Sequence, residues 1–256
     1  MAAPTITAAV IARNEAANIQ DCLASLAWAD DRLVMDSLST DTTVALAQAA
    51  GARVVQRPFD TYARQRNATL DAATGDWVVF VDADERVSPE LGAEVRQAVT
   101  LACVSAAGFW VPRRNIILGR WVQHAGWWPD QQLRVLRRGR ARYDETQDPH
   151  EVVVLDGAAS RLTQTLTHLN YTSVGQLFEK QDRYARREAQ TLSRQGVRAL
   201  PHRFVTQPVR EFLRRYVQLK GYKEGRLGLL LAFVMAWYRF RVYAHLARAN
   251  RQPLTP

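Results

Sequence analysis

The sequence predicts an α/β protein: a Rossmann-like, mostly parallel sheet flanked by helices, followed by a basic helical C-terminal extension. Three observations predict it. In the first 86 residues, short apolar runs alternate with segments of helical spacing, which is the pattern of βαβ units. Polar residues stand at the carboxyl ends of those runs, where parallel sheets open onto a ligand crevice. Positive charge is concentrated late: 17 of the 34 Lys and Arg lie from residue 180 onward, against Asp182, Glu188, Glu211 and Glu224 as the only acids there.

The elements follow in order. Thr5–Ala12 is an apolar, β-branched run and reads as a buried strand. After the polar set Arg13, Asn14 and Glu15, the spacing of Ile19, Cys22, Leu23 and Leu26 predicts an amphipathic helix over residues 18–29. Residues 32–36 form a second strand. Ser39 and Thr40 are cap candidates for a helix that Gly51 closes. Residues 53–56 form a third strand and residues 62–73 a helix stopped by Gly75. Residues 77–81 form a fourth strand, which runs into Asp82-Ala83-Asp84. Ser88-Pro89 opens another helix, with Pro at its first position. From Gly108 to His168 the pattern breaks into short strands and turns, the region expected to build an acceptor site. Beyond Ser173 the chain reads as helical and basic. There Val209, Phe212, Leu213, Tyr216 and Val217 share one face, opposite Arg210, Arg214, Arg215 and Gln218.

The 256 residues suit one substantial domain or a domain with an appendage. We expect a catalytic domain over residues 1–172, divided into a nucleotide half (1–86) and an acceptor half (87–172), and a membrane-associating region over 173–256. Two cysteines, Cys22 and Cys103, offer no disulfide framework, which fits a cytoplasmic setting. Residues 1–7 lack a basic segment followed by an apolar run, so no signal peptide is expected. The longest apolar run, Leu227 to Tyr238, is shorter than the ~20 residues a membrane span needs. The net charge of +9 raises nucleic acid as a partner. The basic excess is confined to the tail, however, and no nucleic-acid-binding motif is present, so that class is set aside. A nucleotidyltransferase would want a Gly-rich triphosphate loop, and the first βα turn has none.

Two carboxylates one residue apart, directly after an apolar strand, form a site for a hard cation. Mg²⁺ or Mn²⁺ takes carboxylate oxygens and completes its shell with phosphate oxygens. Such a cation neutralises charge building on a diphosphate leaving group. Asp82 and Asp84 are therefore the candidate ligands.

At these residues the sequence resembles glycosyltransferase family 2, whose fold is the GT-A type. The likeness is carried by AVIARNE (residues 9–15), MDSLSTDTT (35–43), RQRN (64–67) and GDWVVFVDADER (75–86). More narrowly, PRRN (112–115), LGRW (118–121), HAGWWPDQQLRVLRRG (124–139) and PHEVV (149–153) resemble the lipopolysaccharide-core β-1,4-glucosyltransferases. Those enzymes add glucose to the inner-core heptose of lipid-A-linked oligosaccharide. The resemblance implies an inverting, metal-dependent hexosyltransferase that uses a UDP-hexose. It implies that Ala12, Arg13 and Glu15 line the nucleotide pocket and that Asp36 accepts a hydrogen bond from uracil. Arg66 and Asn67 are placed near the base or diphosphate, Asp82 at the ribose or metal, and Asp84 on the metal. His150 is implied as a third metal ligand. Leu38 stands where the family usually has Gly, so a turn with φ > 0 would strain it.

Inverting transfer needs a base to take the proton from the attacking hydroxyl. Asp130, after Gly126-Trp127-Trp128-Pro129, is the candidate, with Glu151 as the alternative. Trp127, Trp128, His124 and Arg134 are candidates for acceptor binding. The cluster Arg134, Arg137, Arg138, Arg140 and Arg142 suits an acceptor rich in phosphate and acidic sugar. A polyprenyl phosphate or another envelope glycan is the alternative acceptor. The tail has the make-up of a helix lying in a bilayer interface, with an apolar face and flanking arginines. This implies an anionic membrane surface as partner and a peripheral place on the inner face of the cytoplasmic membrane.

Overall fold

The computed structural model of the chain describes residues 2–146 and 152–250. Two compact units form: residues 1–114 with 130–168, and residues 115–129 with 169–256. In chain order the elements of the first half are β1 (Ile6–Ala12), α1 (Ile19–Ala24), β2 (Asp31–Asp36), α2 (Thr43–Ala49), β3 (Arg53–Gln56), α3 (Tyr62–Ala72), β4 (Trp77–Asp82), β5 (Glu85–Arg86) and α4 (Pro89–Thr100). There follow β6 (Ala106–Ile117), β7 (Arg120–Trp121), β8 (Asp130–Arg137), β9 (Ala141–Tyr143), β10 (Val153–Leu155), β11 (Ala158–Arg161) and β12 (Leu166–Tyr171). The helices α5 (Val174–Arg194), α6 (Arg203–Leu213) and α7 (Gly225–Ala249) close the chain.

The first unit is the expected α/β fold, of the GT-A kind. Its main sheet runs β3-β2-β1-β4-β8-β6-β12-β5. The first four strands are parallel, and β8 is antiparallel to both β4 and β6. β1 is buried on both faces, which is why its sequence is continuously apolar rather than alternating. On one face Ala8, Val10 and Ala12 pack with Ile19, Cys22 and Leu23 of α1 and with Leu91, Val95 and Val99 of α4. On the other face Ala9, Leu33, Val78 and Phe80 pack with Ala63 and Leu70 of α3. Gly75 is obligatory before β4: a Cβ there would lie 2.6 Å from the Thr7 nitrogen. The first helix ends sooner than its spacing predicts. Ser25 Oγ donates to the Cys22 carbonyl, and the chain continues as tighter turns through Ala27.

The second unit is largely helical. Leu227, Leu231 and Val234 of α7 form its core with Ile117, Val122, Tyr171 and Leu177. α7 is about twice the length of the apolar run that marks it. Beyond that run, Arg239 and Arg241 are held by Glu188 and Asp182 of α5. By length and composition the stretch Gly221–Ala249 is sufficient to cross a membrane, and 44% of its most apolar window is buried inside the protein. α6 begins at Arg203, so Pro208 sits inside it and forgoes one backbone bond. A π-helical turn over Arg214–Gln218 follows directly.

Candidate active site

The carboxyl ends of β1 and β2 are tied to each other. Asn14 Oδ1 accepts from the Thr40 amide at 2.9 Å, the Asn14 amide donates to Ser39 Oγ at 2.9 Å, and the Glu15 amide donates to Thr43 Oγ1 at 2.8 Å. Ala12 is buried, with its carbonyl accepting from the Ser37 amide, and Arg13 projects into solvent beside it. Asp36 is fully buried. Its carboxylate accepts from the Ser39 amide and hydroxyl and from Gln56 Nε2 at 3.1 Å, so it holds the turn after β2 in shape. Leu38 lies in that turn with φ 56°, the strained left-handed backbone that its place in the family pattern suggested.

The centre of the site is set by an irregularity in β8. Its register with β6 runs Gly108 to Leu136 and Phe109 to Val135, then Trp110 to Leu133. Arg134 is therefore an extra residue, a β-bulge, and bulges re-aim side chains beside active sites. The β4–β8 ladder stops at Val79 and Val135, next to the bulge. Arg134 spans the opening. Its Nη1 donates to Asp82 Oδ1 at 3.2 Å, and its Nη2 donates to Asp82 Oδ2 and to Glu85 Oε1 at 2.9 Å. Arg66 Nη2 donates to Asp82 Oδ1 at 3.3 Å while its guanidinium lies over Phe80 at 4.9 Å. Arg113 donates to Asp130 Oδ2 at 2.8 Å and to Glu85 Oε1 at 3.4 Å, and Gln132 Nε2 donates to Asp130 Oδ1 at 2.6 Å.

Three guanidiniums and three carboxylates thus alternate through one network. Burial pushes the Asp82 carboxyl up, but Arg134 and Arg66 more than offset this and hold it well below the usual range. Glu85 is raised instead: burial dominates, and the neighbouring Asp82 charge adds to it against Arg134. Burial alone would lower Arg134, and Asp82 and Glu85 beside it raise it well above its ordinary value. Its charge is therefore permanent.

Asp84 follows Asp82 with one residue between them. Its Oδ2 is 3.2 Å from Nε2 of His168, which is buried on β12 opposite Glu85. Among the described residues, no three Asp, Glu, His or Cys side chains gather at ligand spacing. Asp84 and His168 nevertheless fit a divalent cation as a partial donor set, because Mg²⁺-type ions keep waters and substrate phosphates alongside one or two protein ligands. Both Asp82 oxygens, by contrast, are engaged by guanidiniums.

The remaining candidates divide between the units. Asn67 is buried and bonds the Tyr143 backbone in both directions, with a further donation to Glu145. Arg134, expected at the acceptor, is buried and faces Asp82 because the bulge turns it inward. A cavity of about 280 Å³ adjoins it, lined by Trp110, Gln131, Gln132, Tyr143 and Val153. Gln131 Oε1 is buried there without a hydrogen-bond partner among the described residues. In the second unit, His124 Nδ1 is 2.7 Å from Glu224 Oε1, Trp127 meets Tyr171 edge-on at 6.2 Å, and Trp128 meets Trp121 edge-on at 5.5 Å. His150 and Glu151 lie outside the described residues. Sequence reasoning passed over Glu85, Arg113 and His168. The run Asp82-Ala83-Asp84-Glu85 and the PRRN motif contain the first two, whereas only sheet topology brings His168 to Asp84.

Comparison with known proteins gives the family. The family model described as glycosyl transferase family 2 matches residues 7–161. The chain is 30% identical over 263 residues to the lipopolysaccharide core biosynthesis glycosyltransferase LpsC of Rhizobium meliloti, covering 96% of this chain and 95% of that one. It is 27% identical to an uncharacterized glycosyltransferase of Rickettsia felis, covering 94% and 89%. Among solved structures, the mannosyltransferase PcManGT from Pyrobaculum calidifontis, in complex with GDP-Man and Mn²⁺, shares the fold with a TM-score of 0.52 at 17% identity, covering 100% of this chain and 88% of that one. A family match across the crevice and its carboxylates, together with end-to-end similarity to LpsC, establishes that the chain belongs to glycosyl transferase family 2 and is a glycosyltransferase.

Proposed function

We propose that this glycosyltransferase moves a hexose, glucose from UDP-glucose, with inversion onto the inner-core heptose of a lipid-A-linked lipopolysaccharide core. The observation that carries this reading is the full-length similarity to a relative named for lipopolysaccharide core biosynthesis. The crevice is chemically suited to it. Asp84 and His168 would hold Mg²⁺ or Mn²⁺, which supplies charge neutralisation for a diphosphate leaving group. Ala12, Arg13 and Glu15 on one side and the turn that Asp36 holds on the other frame the nucleotide. Arg66 and Arg134 keep Asp82 ionised and fixed at the end of β4.

Asp130 takes the proton from the attacking hydroxyl as the new bond to the anomeric carbon forms and the bond to the diphosphate breaks. Arg113 and Gln132 aim its carboxylate from two sides. Trp110, Gln131 and Tyr143 give the adjoining cavity aromatic walls and an unmet acceptor, features that suit a sugar ring and its hydroxyls.

The test is a thermal-shift series with UDP-glucose, other UDP-hexoses and GDP-mannose, with and without Mn²⁺ or Mg²⁺. A ligand at ~100 times its dissociation constant adds ~2.7 kcal/mol of stability. The expected result is a metal-dependent shift with UDP-glucose that Asp84→Ala abolishes while its own melting point is kept. A shift with GDP-mannose alone would replace the donor, and an undiminished shift in Asp84→Ala would remove the metal role.

A further inference from the structure

Besides the apolar core of the second unit, α6 and α7 each leave a row of apolar side chains exposed. On α6 and the π-turn after it, Val205, Val209, Leu213 and Val217 recur every four residues, and each is about half or more exposed, from 49% to 65%. The residue of this segment that is buried is Glu211, held by Arg214 and Arg215 at 3.1 and 2.7 Å. α7 also exposes apolar residues. Leu229, Phe233 and Phe240 are 48%, 56% and 43% exposed. Arg239 and Arg241 of the same helix turn back to Glu188 and Asp182 of α5.

Ring contacts join the two stripes at both ends. Phe204 meets Phe240 at 6.0 Å, and Tyr216 meets Tyr222 at 6.4 Å, with Tyr222 itself half exposed. The two exposed apolar rows thus lie on contacting helices, and clustered exposed apolar side chains mark an interaction surface. Its borders are positive: Arg210, Lys220, Lys223, Arg226 and Arg248 are exposed, and the two acids of residues 203–250, Glu211 and Glu224, are buried.

We propose that this α6–α7 face is a membrane-docking surface for an anionic bilayer, with its apolar stripe in the acyl boundary and its basic rim on the headgroups. An apolar face whose exposed charged residues over 203–250 are all basic matches anionic lipid, which attracts each basic residue near its surface and accepts apolar side chains. α7 lies along the surface and does not cross the bilayer. Its opposite side, through Leu227, Leu231 and Val234, is built into the core of its own unit and cannot face lipid. The surface stands on these observations alone and holds whichever sugar the enzyme transfers.

The experiment is flotation of the full chain with vesicles of equimolar phosphatidylglycerol and phosphatidylcholine, and with phosphatidylcholine alone. The expected result is binding to the anionic vesicles that high salt weakens. The double variant Leu213→Glu, Phe233→Glu is expected to lower partitioning about a hundredfold or more, since each change removes a large apolar side chain from the bilayer. Both positions are exposed, so the variant is expected to keep the wild-type melting point and nucleotide-sugar thermal shift, which separates membrane binding from the proposed reaction. Wild-type partitioning by the double variant overturns the proposal. So does a wild-type dimer in sedimentation that the double variant dissolves without any vesicle binding, because the face is then an interface between copies.

Discussion

Leu38 stands in the left-handed region at φ 56° and is 48% exposed. A non-glycine residue there costs about 1–2 kcal/mol, while glycine costs about 0.5–1 kcal/mol in chain entropy. Leu38→Gly is therefore expected to raise stability by about 0.5 kcal/mol, read as a higher urea midpoint at unchanged slope. A lower midpoint would mean the leucine makes a contact worth more than its strain. Asp130 gives the second residue-scale prediction. Asn keeps its size and, through its one carbonyl oxygen, can still accept from Arg113, but it cannot take a proton. Asp130→Asn is expected to keep the nucleotide-sugar thermal shift and to lower turnover at least about a hundredfold. Normal turnover would shift the role to Glu151. At this scale the sequence displays residue types at strand ends and hides their partners. Asp36 and Asn67 were legible as polar groups beside the crevice. That Asp36 spends its carboxylate on Ser39 and Gln56, and Asn67 its amide on Tyr143 and Glu145, follows from a folded geometry no spacing reveals.

Elements were legible where one face or both must be buried. β1, β2, β3 and β4 fall within a residue of the runs that mark them, because continuous apolar residues have no other stable place. The bulge at Arg134 left no such mark: a register shift depends on two strands, and one strand's sequence does not state it. The same holds for the contacts between α5 and α7, where Asp182 faces Arg241 at 2.7 Å and His245 at 3.1 Å. Burial acts to raise the Asp182 carboxyl, but bonds from His245, Arg241 and Arg186 outweigh it and bring it down from 3.8 to about 2. A carboxyl depressed on folding stabilises the native state above its unfolded value, and the contribution fades as pH falls through the folded one. Stability of the helical unit is thus expected to drop between pH about 4 and about 2 in part through Asp182. Asp182→Asn is expected to lower the urea midpoint at neutral pH and to flatten that part of the acid limb. An acid limb identical to wild type would show that Asp182 carries none of it.

At the scale of the whole molecule, the basic excess after residue 180 was plain in the sequence, but its use was not. A removable tail and an integral part of a core have the same composition. The contacts decide for the core: Leu227, Leu231 and Val234 of α7 pack on Ile117, Val122, Tyr171 and Leu177. Each buried aliphatic side chain is worth about 1.5–3 kcal/mol, so three of them amount to a large part of a domain's marginal stability. Deleting residues 208–256 also takes Arg241 and Arg239 from Asp182 and Glu188, leaving both acids without those partners. The truncated chain is therefore expected to lose the folded state of its helical unit. The cores of the first unit contain none of the deleted residues. Limited proteolysis distinguishes the outcomes: rapid cleavage within residues 169–207, with residues 2–114 protected, is the expected pattern. Protection of 169–207 in the truncated chain would show that the helical unit folds without α7. The apolar face of α7 would then be a dispensable arm.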